Sequence, residues 1–201
     1  MRYLQKHKVV SSFVAFLLIA LPIIVLASMK NQDTRGRAQA STTLYFSPVT
    51  SATSPLQKTV GNSFSLDLML SPGTNLVTFT KIEILFDPTK LTLDTTNPLV
   101  VNTAVFPQIV EGPVYGSGKI DIVLSVGPDL SKAVGQNSKI LTLNFKAVSP
   151  VSQTLVSFGT ITQILSAAYQ DNSSENVLST TSPAIIKISR LKGGGTVGKK
   201  H

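Results

Sequence analysis

The imidazoles of this chain are His7, beside an apolar run near the N-terminus, and His201, the last residue. Neither falls in the segment between them that could fold, so a histidine base, a Ser-His-Asp arrangement or an imidazole-held metal lacks its central part. Cysteine is absent, which removes thiol nucleophiles, thiolate zinc sites and disulfides and leaves the hydrophobic core to hold the fold. Carboxylates remain. Asp67, Glu83 and Asp121 lie in strand-like runs, and two of them facing across a cleft would be the parts of a glycosidase. Isolated carboxylates on the outward side of strands are ordinarily solvated, however, and the reading is of a protein without catalytic residues that is not an enzyme. Asp171-Asn172-Ser173-Ser174-Glu175-Asn176 is rich in oxygen donors, with Asp171 and Glu175 as calcium candidates. It lacks the glycine and distal glutamate of an EF-hand loop and reads as a polar turn, so no metal and no cofactor is expected. Direct sugar binding uses flat aromatic platforms; the chain has no Trp, and Tyr45, Tyr115 and Tyr169 can equally serve a core or its rim.

The elements that would position these groups begin after an N-terminal targeting segment. Arg2, Lys6 and Lys8 precede an apolar stretch from Val9 to Met29, and a positive flank before such a run directs export. Two fates are open: cleavage after the small-x-small tripeptide Ala38-Gln39-Ala40, or retention as an anchor, since the stretch approaches the roughly 20 apolar residues that span a bilayer. The protein is therefore expected to be exported, either secreted or held at the cell surface by residues 9–29. Net charge is +8, but it sits at the ends. Residues 1–40 hold six basic groups against Asp33, residues 190–201 hold four against none, and residues 41–189 carry 8 basic and 9 acidic side chains. With no basic stripe in the middle, nucleic acid is not an expected partner.

From Thr42 onward the apolar period is two, in short runs separated by Gly, Pro, Asn and Ser, the pattern of half-buried strands. Expected strands are 42–46, 63–70, 77–86, 91–94, 104–110, 118–126, 138–147, 153–158, 160–169 and 184–189, with Phe64, Leu66, Leu68, Leu70 and Leu141, Leu143, Phe145, Ala147 as the clearest alternating sets. Turn signals include Ser71-Pro72-Gly73, Gly127-Pro128-Asp129 and Asp171-Asn172-Ser173-Ser174. About nine or ten strands with frequent turns predict an all-β, two-sheet sandwich or jelly roll over residues 41–190. A leader (1–40) would precede it and a flexible basic Gly/Lys tail (191–201) would follow. In the run Lys81 to Leu91, alternation points Ile82, Ile84 and Phe86 inward and Lys81, Glu83 and Leu85 outward. Phe86, Asp87, Pro88 and Leu91 form a turn motif: Pro88 ends the ladder, and the Asp87 carboxylate accepts from amides of the turn that follows.

Three segments in order resemble a cohesin domain, a family of β-sandwich modules sharing a fold with family 3 carbohydrate-binding modules. Val60-Gly61-Asn62-Ser63-Phe64-Ser65-Leu66-Asp67-Leu68 is similar to the family's opening strand. Ile82 to Leu91 resembles its strand ending in Asp-Pro. Gly118-Lys119-Ile120-Asp121-Ile122-Val123-Leu124 and Ile140 to Ala147 resemble two later strands. The resemblance implies a non-catalytic extracellular binding module, monomeric, that attaches to a protein of dockerin kind, in the setting of polysaccharide degradation. A carbohydrate-binding module or a structural surface domain is the alternative. It implies a partner face carrying Phe79, Lys81, Glu83 and Leu85, with Tyr115, which matches a family tyrosine, at its margin. The family tends to carry Asn and Asp where this chain has Phe79 and Lys81, so a more acidic partner is implied.

Overall fold

The computed structural model describes residues 40–167 and 174–191. The strands follow in chain order: β1 (Thr42–Ser47), β2 (Leu56–Thr59), β3 (Ser63–Ser71), β4 (Val77–Phe86), β5 (Leu91–Leu93), β6 (Leu99–Val101), β7 (Gln108–Gly116), β8 (Lys119–Ser125), β9 (Ser138–Ala147), β10 (Val151–Phe158), β11 (Gln163–Ala167), β12 (Ser174–Asn176), β13 (Leu178–Ser182) and β14 (Ala184–Ser189). One sheet has the order β13-β1-β3-β9-β5, with β6 also on β9. The other runs β12-β11-β4-β10-β14-β2, and β8, carrying β7, covers the remaining edge of β4. Most pairs are antiparallel; β1 with β13 and β14 with β2 are parallel. This is the two-sheet, all-β sandwich that the alternation predicts.

Register explains the core. In antiparallel strands, directly opposed residues share a sheet side. Phe64, Leu66 and Leu68 on β3 face Phe145, Leu143 and Leu141 on β9, and all six are buried. From the second sheet Ile82 and Ile84 face Ile122 and Ile120, also buried. Aromatic rings join the sheets: Phe46 stacks on Phe158 at 4.8 Å, and Phe86 meets Phe145 edge-on at 5.2 Å. Phe86 is only half-buried, because it ends its strand. Phe106 is fully buried although it lies outside any strand, held by a turn in which the Val105 and Phe106 N–H groups donate to Asn102 O.

Several expected boundaries move. The strand expected at 104–110 starts at Gln108 and reaches Gly116, since Asn102 to Phe106 turn to plug the core. The one expected at 160–169 starts at Gln163. Ser174, expected in a turn, opens β12 against β11. The strands β2, β6, β12 and β13 had no alternating pattern to reveal them: each is three to five residues long, and β13 is mostly Ser and Thr. The leader up to Gln39 and the tail beyond Leu191 lie outside the described residues, as do Asp171 and the Glu175 side chain. The calcium candidates therefore have no described geometry.

The turn motif forms as expected. Thr89 donates its backbone N–H (2.8 Å) and hydroxyl (2.7 Å) to Asp87 Oδ1, while Lys90 and Leu91 N–H groups donate to Asp87 O. Gly118 packs against this turn with φ +74°, and a Cβ there would lie 2.5 Å from Phe86 O and 2.9 Å from Pro88 Cδ; only glycine meets both demands. Asp94 and Asp129 repeat the device, accepting from Thr96 and Asn97 N–H groups and from Ser131 N–H and hydroxyl. Hydrogen bonds from the Thr89 hydroxyl and amide lower the Asp87 pKa. The Asn97 and Thr96 amides lower that of Asp94, and the Ser131 hydroxyl and amide that of Asp129, each below the ordinary 3.8. A carboxylate with a depressed folded pKa contributes stability that is complete above its unfolded value and is lost as pH falls through the folded one. The urea midpoint should therefore drop between about pH 5 and about pH 2, and Asp87→Asn should flatten part of that drop. An acid-independent midpoint would contradict the role given to these turns.

Candidate partner-binding face

The outward side of the second sheet is built by the residues that alternate with the core set. On β4 these are Phe79, Lys81, Glu83 and Leu85; on β8, opposite them, Ser125, Val123, Asp121 and Lys119. β10 contributes Leu155 and Ser157, the latter opposite Leu85. β11 contributes Gln163 and Leu165, opposite Lys81 and Phe79. Leu85 and Leu155 are 36% and 48% exposed, an apolar pair on adjacent strands that sequence alternation identifies for Leu85 and leaves hidden for Leu155, whose neighbours carry no strong pattern.

Two of the expected face residues are placed differently. Glu83 points outward but is 8% exposed, because it is locked beneath Lys119, whose Nζ lies 2.8 Å from Glu83 Oε1 and 3.0 Å from Asp121 Oδ2. It is therefore a supporting residue under the surface rather than a contact on it. Tyr115 pairs with Ile120, a core-facing residue, so its ring lies on the inner side of the sheet at the rim of β7. The hairpin sets this side, since the pairing is regular from Val114 with Asp121 to Gly116 with Lys119, while the two register shifts of β7, between Ile109 and Glu111 and between Glu111 and Val114, lie before it.

Glu83 also marks a break in the sheet. β4 pairs with β10 through Ile84, Leu85 and Phe86 and with β11 through Val77 to Lys81, and the link between those two strands passes Glu83. There the Gly159 N–H donates to Glu83 O at 2.8 Å, the Thr162 hydroxyl donates to the same oxygen, and the Glu83 N–H donates to Thr162 Oγ1. The Glu83 side chain lies over Gly159, where a Cβ would fall on its carboxyl group. The glycine inside the run Val156 to Thr160 was a visible sign of close backbone approach. The link also presents Ile161, 40% exposed.

Electrostatically, the three-residue cluster is fixed. Hydrogen bonds to Glu83 and then to Asp121 raise the Lys119 pKa above its ordinary 10.5, so the ammonium is charged at neutral pH. Asp67, the third carboxylate of the sequence reading, sits on the other sheet, where it accepts from the Thr142 hydroxyl and lies 3.6 Å from Lys139. It cannot form a catalytic pair with Glu83 or Asp121. Among the described residues no group of three or more His, Asp or Glu side chains is placed to hold a metal.

No protein-family model matches the chain, and no curated protein sequence matches it. Solved structures do. The seventh ScaB type I cohesin of Pseudobacteroides cellulosolvens is similar at TM-score 0.59 and 10% identity, over 80% of this chain and 97% of that one. A chain of a type I cohesin–dockerin complex from Clostridium thermocellum is similar at TM-score 0.59 and 10% identity, over 77% and 97%. A non-cellulosomal cohesin from the archaeon Archaeoglobus fulgidus is similar at TM-score 0.54 and 11% identity, over 74% and 91%. At these identities the likeness concerns architecture, and on that architecture the sandwich formed by the described residues has the cohesin fold.

Proposed function

We propose that this chain is a non-catalytic, cohesin-type attachment module that binds a protein of dockerin kind through the outward side of the second sheet. The observation that carries this is the exposed pair Leu85 and Leu155 on that side, with the ion-paired cluster of Glu83, Lys119 and Asp121 at its edge. An apolar centre with ordered polar groups at its edge is the composition of a protein interface. Support comes from the comparisons, whose cohesins include chains solved in complex with dockerins. The basic flank and apolar run of residues 1–29 support export, with the module secreted or anchored outside the membrane. Among the described residues no helix is long and apolar enough to cross a membrane, and residues 9–29 lie outside them. A role in polysaccharide degradation would follow from the partner and not from this domain.

Titration calorimetry of the chain against a panel of calcium-loaded dockerin domains tests the proposal. Saturable one-to-one heat with at least one of them is the expected result. Silence across the panel, together with saturable binding to an insoluble polysaccharide, would replace it with the carbohydrate-binding reading.

A further inference from the structure

The chain enters the sandwich at one end and leaves it at the other. At the entry, the Thr42 N–H donates to Val177 O, the Thr42 hydroxyl to Pro72 O and the Asn75 side-chain amide to Ser41 Oγ, which fixes Ser41 among the loops that precede β4 and β13. At the exit, Ser189 O accepts from the Val60 N–H, and the next amide, Gly61 N–H, donates to Ala147 O at the close of β9. β9 connects the two ends, starting at Ser138 opposite Leu70; its ten residues make about 30 Å of strand.

Two leucines stand out of the entry end. Leu76, 42% exposed, immediately precedes β4, and Leu130, 52% exposed, opens the short 3-10 turn Leu130–Lys132. Val77 and Val134 exchange both backbone hydrogen bonds, which ties the two loops together, and Leu76 lies over Gly135, its Cδ2 3.1 Å from where a Cβ would fall. Lys132 is exposed on the same turn, and a long side chain of this kind keeps its ammonium in water while its stem covers apolar surface. What lies next to this end follows from the sequence: the ten residues 30–39 separate the apolar stretch Val9 to Met29 from Ala40. As a flexible chain they span about 17 Å on average and about 35 Å fully extended. With residues 9–29 retained in a bilayer, the entry end is held so close to the lipid that weak contacts suffice to close on it. Lys30, Arg35 and Arg37 against Asp33 give the connecting stretch a basic excess that anionic headgroups attract.

Taking the retained-anchor fate of the leader, we propose that the entry end is a membrane-contact surface, on which Leu76 and Leu130 enter the boundary between headgroups and acyl chains of the bilayer that holds residues 9–29. The sandwich then stands on end. β4 runs away from the membrane from Val77 to Phe86, and the outward side of the second sheet stays open along its length. The inference goes beyond the protein attachment proposed above and does not depend on it.

Because the chain has no cysteine, one introduced thiol places an environment-sensitive fluorophore at a chosen point. Thr74→Cys, exposed between Gly73 and Asn75, reports on the entry end, and Asn62→Cys, exposed before β3, reports on the far end. The full-length chain is made by cell-free synthesis, with its leader uncleaved, in the presence of phosphatidylcholine–phosphatidylglycerol vesicles in which part of the lipid carries a headgroup nitroxide quencher. The expected result is a blue shift and quenching of the label at position 74 and neither at position 62. Leu76→Asp combined with Leu130→Asp should release the label at position 74 while the chain still floats with the vesicles. Quenching at position 74 that survives this paired substitution would reflect the tether alone and overturn the contact. Equal quenching at both positions would overturn the upright placement. A chain that does not float with the vesicles would remove the anchor, and the inference with it. Thermal melts of the paired variant, expected to match the unaltered chain because both leucines are exposed, separate release from misfolding.

Discussion

Phe145→Ala is expected to cost about 3 to 5 kcal/mol, the range for a buried aromatic truncated to a methyl group, and to be among the most damaging single substitutions in the sandwich. Phe145 is fully buried and is the ring on which the sheets meet: Phe64 packs beside it at 5.8 Å within its own sheet, and Phe86 strikes it edge-on from the other. Removing it takes away apolar burial and two aromatic contacts at once, and strands held in ladders on both sides cannot collapse into the space. Phe86→Ala should cost less, about 3 kcal/mol, because that ring is already partly exposed. Lys81→Ala, on the outward side, should cost under about 0.5 kcal/mol. Urea midpoints of the three variants check the order, and equal losses for Phe145 and Lys81 would show that the strand sides are wrongly assigned.

Gly159→Ala should destabilise the protein by about 2 to 3 kcal/mol, the cost of forcing an extra carbon into filled space. The cause is steric and not conformational, since what fills the space beside Gly159 is the Glu83 carboxyl group. To admit the methyl group, Glu83 must leave Lys119 or the β10–β11 link must shift away from β4, and that link supplies the hydrogen bonds of the Glu83 backbone. A second substitution discriminates between these causes. If Glu83 is the obstacle, Glu83→Ala in the Gly159→Ala background should restore part of the lost stability, whereas independent sites would simply add. An additive double variant would show that Gly159 is needed for some other reason.

Much of the fold was legible because burial and period coincide in its long strands. Phe64, Leu66, Leu68 and Leu70 alternate with Ser, Asp and Met, and every second residue is buried; the same holds for Leu141 to Ala147 on β9. The Asp87-Pro88 turn was legible because its chemistry is local. What the pattern could not supply depends on neighbours distant in sequence. The strands β2, β6, β12 and β13 exist by pairing with longer strands; β2, β12 and β13 carry little apolar signal of their own, and β6, Leu99–Val101, is too short to show alternation. Phe106 enters the core from a turn, so alternation mistook its surroundings for a strand. The same limit applies to the binding side. Lys81 and Leu85 follow from alternation along β4, but the burial of Glu83 depends on Lys119 and Gly159, 36 and 76 positions further along the chain. The inward side of Tyr115 depends on the hairpin that pairs it with Ile120.

The claim that the outward side of the second sheet is the docking surface is tested most directly by placing one charge on each sheet and measuring the same partner. Leu85→Asp puts a carboxylate in the apolar pair, and Lys146→Glu changes an exposed residue on the outward side of the other sheet, opposite Ser63 and Thr92. With the dockerin that binds best in calorimetry as the ligand, Leu85→Asp is predicted to weaken binding by about a hundredfold, as loss of a central anchor does, while Lys146→Glu leaves it unchanged. Unchanged affinity for Leu85→Asp, with loss for Lys146→Glu, would move the interface to the opposite sheet and contradict the account.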